Sequence, residues 1–236
     1  MDLLYKNNKT GLKKYLETFP HQGGIIVNDE KKFIFMRAGK VAGTSVLNAF
    51  RGAGVDFFYS EKHPERYHSW FKRLDDDTLC EYFVFSVIRN PFDRFVSSAR
   101  YLKIPVHDLA DHFDRHIKDE VVYLHTLPLF QYTHMGNQLF ADYICRVESL
   151  QSDLNQVFDY LGIDRVELAV SNRSNRKGYQ HYYNQDLKDR VSALYSEDIA
   201  YYGYSYEQSS GHNHSRIAYL KEKFSKKKKA LFAKFQ

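Results

Sequence analysis

The sequence predicts an α/β fold, a three-layer arrangement with a central parallel sheet flanked by helices. Residues 33–51 and 82–102 each show a short apolar strand, then a turn with polar residues, then a helix. The strand Tyr82–Ile88 is apolar and rich in aromatic and β-branched residues, which is typical of an interior strand. Both joints place cations and hydroxyl groups after a strand, so we expect them to serve one ligand with two separated anions.

Length and composition predict one domain with a tail. The chain has 236 residues, 43% of them hydrophobic, with 19 tyrosines and 18 phenylalanines to fill a core. We place the domain at residues 1–208 and a linker with a basic amphipathic tail at 209–236. Two cysteines give no disulfide framework and no zinc spacing. The charged N-terminus lacks the apolar core of a signal peptide, so a cytoplasmic location is expected.

The first joint has small residues between its strand and its helix. Phe33–Met36 predicts a buried strand, and Val46, Leu47 and Phe50 recur at helical spacing. Between them lie Gly39, Lys40, Val41, Ala42, Gly43, Thr44 and Ser45, here called the cradle loop. Small side chains let an anion approach the N–H groups of such a loop, and the helix dipole adds to the attraction. We predict a phosphate or sulfate site; the alternative is an ordinary turn whose lysine faces solvent.

The second joint carries an arginine and a serine. Arg89 ends the strand, and Pro91 suits the first turn of the helix that follows. Ser97 lies about two helical turns beyond Arg89, so it can return near the same edge. An arginine and a hydroxyl there can hold a second anion through charge-assisted hydrogen bonds. The alternative is an Arg89–Asp93 salt bridge that caps the helix.

The remaining elements follow from periodicity and turn residues. Ile25–Val27 predicts an edge strand, and the polar residues 60–78 predict a loop with a short helix near its proline. An apolar stripe predicts a helix over 150–161 that ends at Gly162. One further helix is predicted from residue 187 to a stop at 203.

Four histidines occur within residues 103–130: His107, His112, His116 and His125. His112 and His116 have the i, i+4 spacing of some metal ligands. Because no HExxH-type motif accompanies them, a polar helix face is the preferred interpretation, and no metal site is predicted.

The two joints, RAGKVAGTS and then SVIRNPFDRFVSS, resemble the PAPS-dependent sulfotransferases. The chain looks like their carbohydrate-modifying branch, which includes the uronyl 2-O-sulfotransferases and bacterial relatives (sulfotransferase family 2). The resemblance spans roughly residues 33–204 and implies the P-loop NTPase-like sulfotransferase fold. The loop itself is not a Walker A motif, because Lys40 comes early rather than at its end. Gly39 stands where the family often has proline.

Carried over residue by residue, this resemblance implies a role for each motif. The cradle loop would bind the 5′-phosphosulfate of PAPS, and Arg89 and Ser97 would bind its 3′-phosphate. The loop at 171–177, with Arg173 as first choice, would cover the nucleotide. The family transfers a sulfuryl group in line to an acceptor hydroxyl without a metal and releases PAP. Lys40 would stabilise the charge that builds on the leaving phosphate.

The acceptor hydroxyl needs a base, and a histidine suits neutral pH. Similar proteins place a histidine or glutamate between the two phosphate motifs. Here KHPERYH offers His63 and His68, of which His63 is preferred, with Glu61 and Glu65 as lesser candidates.

The sequence therefore predicts a cytoplasmic sulfotransferase that acts on a carbohydrate acceptor, a polysaccharide or a glycolipid. The basic tail would contact the inner face of a membrane. Two alternatives stay open. One is a P-loop-like nucleotide kinase that uses ATP. The other is a non-enzymatic basic module that binds anionic lipid or nucleic acid through its tail, with nucleic acid the less expected partner.

Overall fold

The computed structural model describes residues 11–18, 24–114, 120–168 and 178–207. The strands are β1 Ile25–Asn28, β2 Phe33–Met36, β3 Phe58–Tyr59, β4 Phe83–Ile88, β5 His134–Met135, β6 Gln138–Leu139 and β7 Tyr143–Arg146. Five of them form a sheet in the order β3-β1-β2-β4-β7, and β5 pairs with β6 separately.

Helices flank the sheet, as expected for an α/β protein. The helices are α1 Leu12–Thr18, α2 Gly43–Gly52, α3 Pro64–Lys72, α4 Asp76–Leu79, α5 Pro91–Leu102, α6 Val106–Asp114, α7 Glu120–Thr126, α8 Leu150–Leu161, α9 Gln185–Leu194 and α10 Ser196–Tyr202. Short 3₁₀ segments occur at Leu129–Tyr132, Val147–Ser149 and Tyr179–Tyr182.

The predicted α/β class with a central sheet is confirmed, but the sheet is mixed rather than wholly parallel. Strands β2, β4 and β7 are parallel, whereas β1 is antiparallel to both β2 and β3. The cause is the tight turn at residues 29–32, because two strands joined so closely pair as an antiparallel hairpin. Strand β1 is also interior rather than at an edge, where the two-residue β3 lies.

Aromatic packing holds the two joints to a common core. Every residue of β2 and β4 is buried. Phe35 stacks on Phe85 across the parallel pair, with centroids 4.7 Å apart. Phe33 packs on Phe50 of α2 at 4.7 Å, so the helix of the first joint is fixed on the sheet. This contact positions the start of α2.

The carboxyl ends of β2 and β4 lie side by side. Met36 pairs with Ser86, whose Oγ donates a hydrogen bond of 2.7 Å to the Met36 carbonyl. Arg37 follows β2 directly, and Arg89 follows β4. The register therefore brings the residues after both strands to one edge of the sheet.

Other predicted elements are confirmed with small changes. Helix α8 ends at Gly162, which takes the left-handed conformation with φ of 63°. The helix predicted from 187 to 203 is two helices, because the chain departs from helical geometry at Tyr195, which caps both. Within the described ranges, no helix is long and apolar enough to cross a bilayer.

Three predictions lie outside the described residues. They are the cover loop at 171–177 with Arg173, the tail at 209–236, and His116 of the histidine pair. The boundary near 208 therefore stays a prediction.

Candidate active site

The cradle loop has an unusual backbone. Lys40 and Ala42 both take the left-handed conformation, with φ of 64° and 59°, which is uncommon for residues with a side chain. The carbonyl of Ala42 accepts from the amides of Ser45 and Val46, at 3.0 and 3.3 Å. Within the described part of the chain, the amides of residues 41–44 donate to no acceptor. Such a row of free N–H groups at a helix start can bind an anion.

The side chains of the cradle loop divide between core and surface. Val41 is fully buried, so only its backbone can reach a ligand. Thr44 is exposed and Ser45 is half-buried. Their hydroxyls are therefore available beside the free amides.

The turn after β4 is fixed by local hydrogen bonds. The side chain of Asn90 caps α5 by accepting from the amide of Phe92 at 3.0 Å, and Pro91 opens the helix. Glu148 accepts from the Asn90 amide at 2.7 Å. These hydrogen bonds hold the backbone next to Arg89 in a fixed conformation.

Arg89 joins the two predicted motifs. Its Nη1 donates to the Lys40 carbonyl at 3.1 Å. Its Nε and Nη2 contact Asp93 at 2.8 and 2.6 Å, so the salt bridge considered as the alternative is also present. The Arg89 side chain is only 15% exposed. An anion at Arg89 would therefore have to share the guanidinium with Asp93.

Ser97 lies on the same face of α5 as Asp93 and Tyr101, since the three are four residues apart. Asp93 contacts Arg89, and Tyr101 contacts Lys40. Ser97 lies between them along the helix and is half-buried. This placement keeps its hydroxyl near both joints.

Lys40 lies among other cations. Its Nζ is 4.1 Å from the centroid of the Tyr101 ring. Burial lowers the pKa of Lys40, and repulsion by Arg89 and Arg37 lowers it further. A set of cations that destabilise one another is expected where an anion binds.

Sequence reasoning missed Arg37. Its side chain crosses the start of α2, where a Cβ on Gly43 would lie 2.6 Å from the Arg37 Nε. That Nε is buried and, among the described residues, has no hydrogen-bond partner. A buried donor without a partner, beside the free amides, fits an anionic group such as a phosphosulfate. The sequence pattern that could have identified Arg37 is its position directly after β2, which matches the position of Arg89 directly after β4.

Arg94 connects the cradle loop to the segment after α7. It is fully buried, and its Nε donates to the Gly39 carbonyl at 3.0 Å. Its Nη1 donates to the Leu127 carbonyl at 2.8 Å. This arginine therefore fixes the end of α7 beside the cradle loop.

That connection brings His125 to the site, which the sequence did not indicate. The imidazole stacks on Tyr101 with centroids 4.6 Å apart. Its Cδ2 lies 3.6 Å from where a Cβ on Gly39 would be. Burial lowers the pKa of His125, and Lys40, Arg94 and Arg37 lower it further against the opposing effect of its bond to the Val121 carbonyl.

The two predicted histidine bases lie at the neighbouring part of the same edge. Tyr59 of β3 and Phe35 of β2 are both level with Ile26 of β1, so the chain leaves β3 on the cradle side. His63 is exposed at the start of α3, and its Nδ1 accepts from the Tyr59 amide at 3.2 Å. His68 is exposed on α3, with its Nδ1 2.7 Å from the Pro64 carbonyl. Neither histidine is among the groups that shift the pKa of Lys40, which are Arg89 and Arg37.

A search of the described residues for clusters of histidine, cysteine and carboxylate ligands finds no group of three or more.

Comparison with known proteins gives one match. Residues 23–103 match the model of the Sulfotransferase family. The matched segment contains the cradle loop, Arg89 and Ser97, together with His63 and His68, and it stops before His125. No curated protein and no solved structure matches the chain significantly. Over residues 23–103, the segment that carries both anion-binding joints, the chain is similar to the sulfotransferase family.

Proposed function

We propose that this protein transfers a sulfuryl group from PAPS to a hydroxyl group of a carbohydrate acceptor. The match of residues 23–103 to the Sulfotransferase family model supports sulfuryl transfer in general. The observation that carries the finer proposal is the cradle loop, in which free amides lie beside Lys40 and the unpartnered Arg37 Nε. Arg89, which contacts the same loop, provides a second cationic point. PAPS carries a phosphosulfate at the 5′ position and a phosphate at the 3′ position of its ribose, which suits two adjacent cationic points.

In this proposal the chain holds the donor by its two ends. The amides of residues 41–44, with Thr44 and Ser45, bind the 5′-phosphosulfate. Arg89 and Ser97 bind the 3′-phosphate, with Arg173 covering the nucleotide. The mechanism uses no metal.

The chemical step is an in-line displacement. Lys40, Arg37 and the fixed amides stabilise the charge that develops on the leaving phosphate oxygen, because they are oriented before the reaction begins. A histidine accepts the proton of the acceptor hydroxyl. The sequence offers His63 and His68 for that role, and the structure adds His125.

The acceptor class rests on resemblance and on the surface beside Lys40. Tyr101, whose ring contacts Lys40, is 59% exposed, and an exposed aromatic ring provides an apolar face against which a ligand can pack. A polysaccharide or glycolipid made at the cytoplasmic face of a membrane would also suit the basic tail.

The first test is binding of PAP to the purified full-length protein. At a concentration of PAP one hundred times its Kd, we expect the melting temperature to rise by about 5–10 °C. Larger stabilisation by ATP with Mg²⁺ would favour the kinase alternative and overturn the assignment of PAPS.

The second test is transfer from [³⁵S]PAPS to a panel of glycans, including heparosan, chondroitin and a membrane glycolipid extract. Label in at least one glycan is the expected result. Binding of PAP without label in any carbohydrate would refute the acceptor class while leaving the donor site intact. The absence of both PAP binding and PAPS turnover would refute the proposed function as a whole.

A further inference from the structure

The imidazole of His125 lies beside the cradle loop, 36 residues beyond Arg89 in sequence. We propose that His125 Nε2 is the atom that takes the proton from the acceptor hydroxyl. This inference rests on the proposed function and names a base that lies outside the segment matched to the family.

The first support is location. His125 and Lys40 contact the same aromatic ring: the imidazole stacks on Tyr101 at 4.6 Å, and the lysine Nζ is 4.1 Å from its centroid. The Cδ2 edge of the imidazole faces Gly39, whose missing side chain leaves that edge uncovered. Because Cδ2 is bonded to Nε2, the candidate basic nitrogen is one bond away from the atom that approaches Gly39 of the cradle loop.

The second support is orientation of the ring. Nδ1 lies 2.8 Å from the Val121 carbonyl, which can only accept, so Nδ1 carries the proton of a neutral imidazole. The lone pair is then on Nε2. Within the described part of the chain, Nε2 makes no hydrogen bond, so it is available to a substrate hydroxyl.

The third support is the backbone that carries His125. Three consecutive carbonyls at the end of α7 accept hydrogen bonds from side chains of other elements. Tyr132 donates to the Leu124 carbonyl at 2.9 Å, and Ser98 to the His125 carbonyl at 2.7 Å. Tyr195 donates to the Thr126 carbonyl at 2.7 Å. A base held in this way needs little reorganisation before it accepts a proton.

The charges around His125 fit a proton acceptor. The cradle side contributes Lys40 and Arg37, and α5 contributes Arg94 with the neutral ring of Tyr101; its own helix contributes the Val121 carbonyl. Burial lowers the pKa of His125 and these cations lower it further, which favours the neutral form of the imidazole that can accept a proton. The negative charge of a bound donor opposes their field, so proton affinity rises when the donor is in place.

The other histidines lack this combination. His68 and His112 make the same bond from Nδ1 to the carbonyl four residues earlier, at 2.7 and 2.8 Å, so that bond alone identifies no base. In His63 the Nδ1 accepts from a backbone amide, which leaves the proton on Nε2. Only His125, among the histidines of the described ranges, contacts the aromatic ring that also contacts Lys40.

The step balances without a further reactant. The acceptor oxygen forms a bond to the sulfur of PAPS, and its proton moves to His125 Nε2. The bond between sulfur and the bridging oxygen breaks, and its electron pair remains on the phosphate of PAP. His125 later releases the proton to water.

The test compares full-length His125→Ala and His63→Ala, with His112→Ala as the matched control because it removes the same Nδ1 bond from a neighbouring helix. Rates are measured with [³⁵S]PAPS and a glycan that accepts label, or as hydrolysis of PAPS by water if none does. Binding of PAP is measured on each variant by thermal shift. We expect His125→Ala to lose about 10²–10⁴-fold in rate, to bind PAP within about threefold of the wild type, and to recover partly with added imidazole. The His112→Ala rate should stay within about twofold.

The dependence of the transfer rate on pH distinguishes a base from a residue that has only a structural role. In the wild type, the rate should fall as pH drops through the pKa of His125, because the protonated ring cannot accept a proton. This fall in rate at low pH is the acid limb of the profile, and it should move to higher pH when the donor is bound. The limb should disappear in His125→Ala.

Three results would overturn the proposal. One is a His125→Ala rate within about threefold of the wild type. The second is loss of PAP binding together with activity, which would make His125 a residue of the donor site. The third is a hundredfold loss in His63→Ala with PAP binding intact. If the wild type neither binds PAP nor turns over PAPS, the proposed function fails instead, so the two failures are distinguishable.

Discussion

Arg89 donates a hydrogen bond of 3.1 Å from its Nη1 to the backbone carbonyl of Lys40. This single contact joins the residue that follows β4 to the left-handed loop that follows β2. It is possible because the two parallel strands are neighbours in the sheet, with Met36 paired to Ser86, so that the residues after both strands lie at one edge. The two motifs read from the sequence are therefore parts of one surface.

The first prediction concerns the lysine of the cradle loop. Lys40→Met removes the charge but keeps the length of the side chain. We expect the rate of sulfuryl transfer to fall about 10²–10³-fold, because the leaving phosphate loses a fixed cation. Transfer from [³⁵S]PAPS measures this, with the exposed Lys31→Met as control. An unchanged rate would remove Lys40 from the chemical step.

The second prediction concerns Gly43 at the start of α2. A Cβ there would lie 2.6 Å from Nε and 3.0 Å from Cδ of Arg37, so Gly43→Ala must displace that side chain. We expect PAP affinity to drop about tenfold, the equivalent of about 1.4 kcal/mol. Isothermal titration calorimetry measures the change.

The control for this substitution lies at the other end of the same helix. Gly52→Ala adds a Cβ that would lie 3.3 Å from the Val166 side chain. Gly52 itself is far from Arg37 in the sequence. The PAP affinity of this variant should equal that of the wild type. Equal affinity in Gly43→Ala as well would show that Arg37 does not contribute to donor binding.

The third prediction concerns Arg89 as the residue that binds the 3′-phosphate. Arg89→Ala should weaken PAP much more than AMP, which lacks that phosphate, because only PAP loses a charge-assisted partner. The Kd for AMP divided by the Kd for PAP is therefore expected to fall. Arg165→Ala, which breaks an exposed arginine–aspartate pair with Asp159, serves as the control. If both nucleotides weaken equally, Arg89 binds another part of the ligand or only supports the loop.

The fourth prediction is a pH dependence of stability from Asp198. Burial raises the pKa of this carboxyl to about 6, although the amides of Leu129 and Phe130 donate to it at 2.8 and 2.7 Å. The folded state therefore holds the proton more tightly than the unfolded state does. The stabilisation from protonation is fully present below the ordinary pKa and is lost as pH rises through about 6.

Urea unfolding of the wild type and of Asp198→Asn at pH 4, 5, 6 and 7 measures this effect. The difference in free energy of unfolding between the two proteins should change by about 2 kcal/mol over that range, since one pKa unit corresponds to about 1.4 kcal/mol and part of the full effect lies below pH 4. A difference that is constant with pH would show that the buried carboxylate has an ordinary pKa.

The fifth prediction separates chemistry from membrane attachment. Deletion of residues 209–236 should leave transfer to a soluble glycan unchanged and should abolish binding to vesicles that contain anionic lipid, because the deleted segment carries the lysine cluster. Sedimentation with vesicles of phosphatidylcholine and phosphatidylglycerol measures binding. Loss of transfer to a soluble acceptor would give the tail a role in catalysis.

Much of the fold could be predicted because the sequence patterns that specify its strands, turns and helices are local. The apolar runs at β2 and β4 and the proline at the start of α5 specify the two joints within about 20 residues each. Sheet direction was harder, since the hairpin between β1 and β2 depends on which strands pair. Residues 29–32 form the turn that reverses the chain.

The α/β class and the two strand–turn–helix joints could be predicted from the amino-acid sequence, because apolar periodicity, turn residues and motif spacing act over short stretches of chain; the roles of Lys40 and Arg89 stay predictions. Only the tertiary structure decided that Arg37 crosses Gly43 and that His125 lies against Tyr101. Both arrangements depend on packing between elements far apart in sequence. Ser98, for example, fixes the carbonyl of a residue 27 positions away.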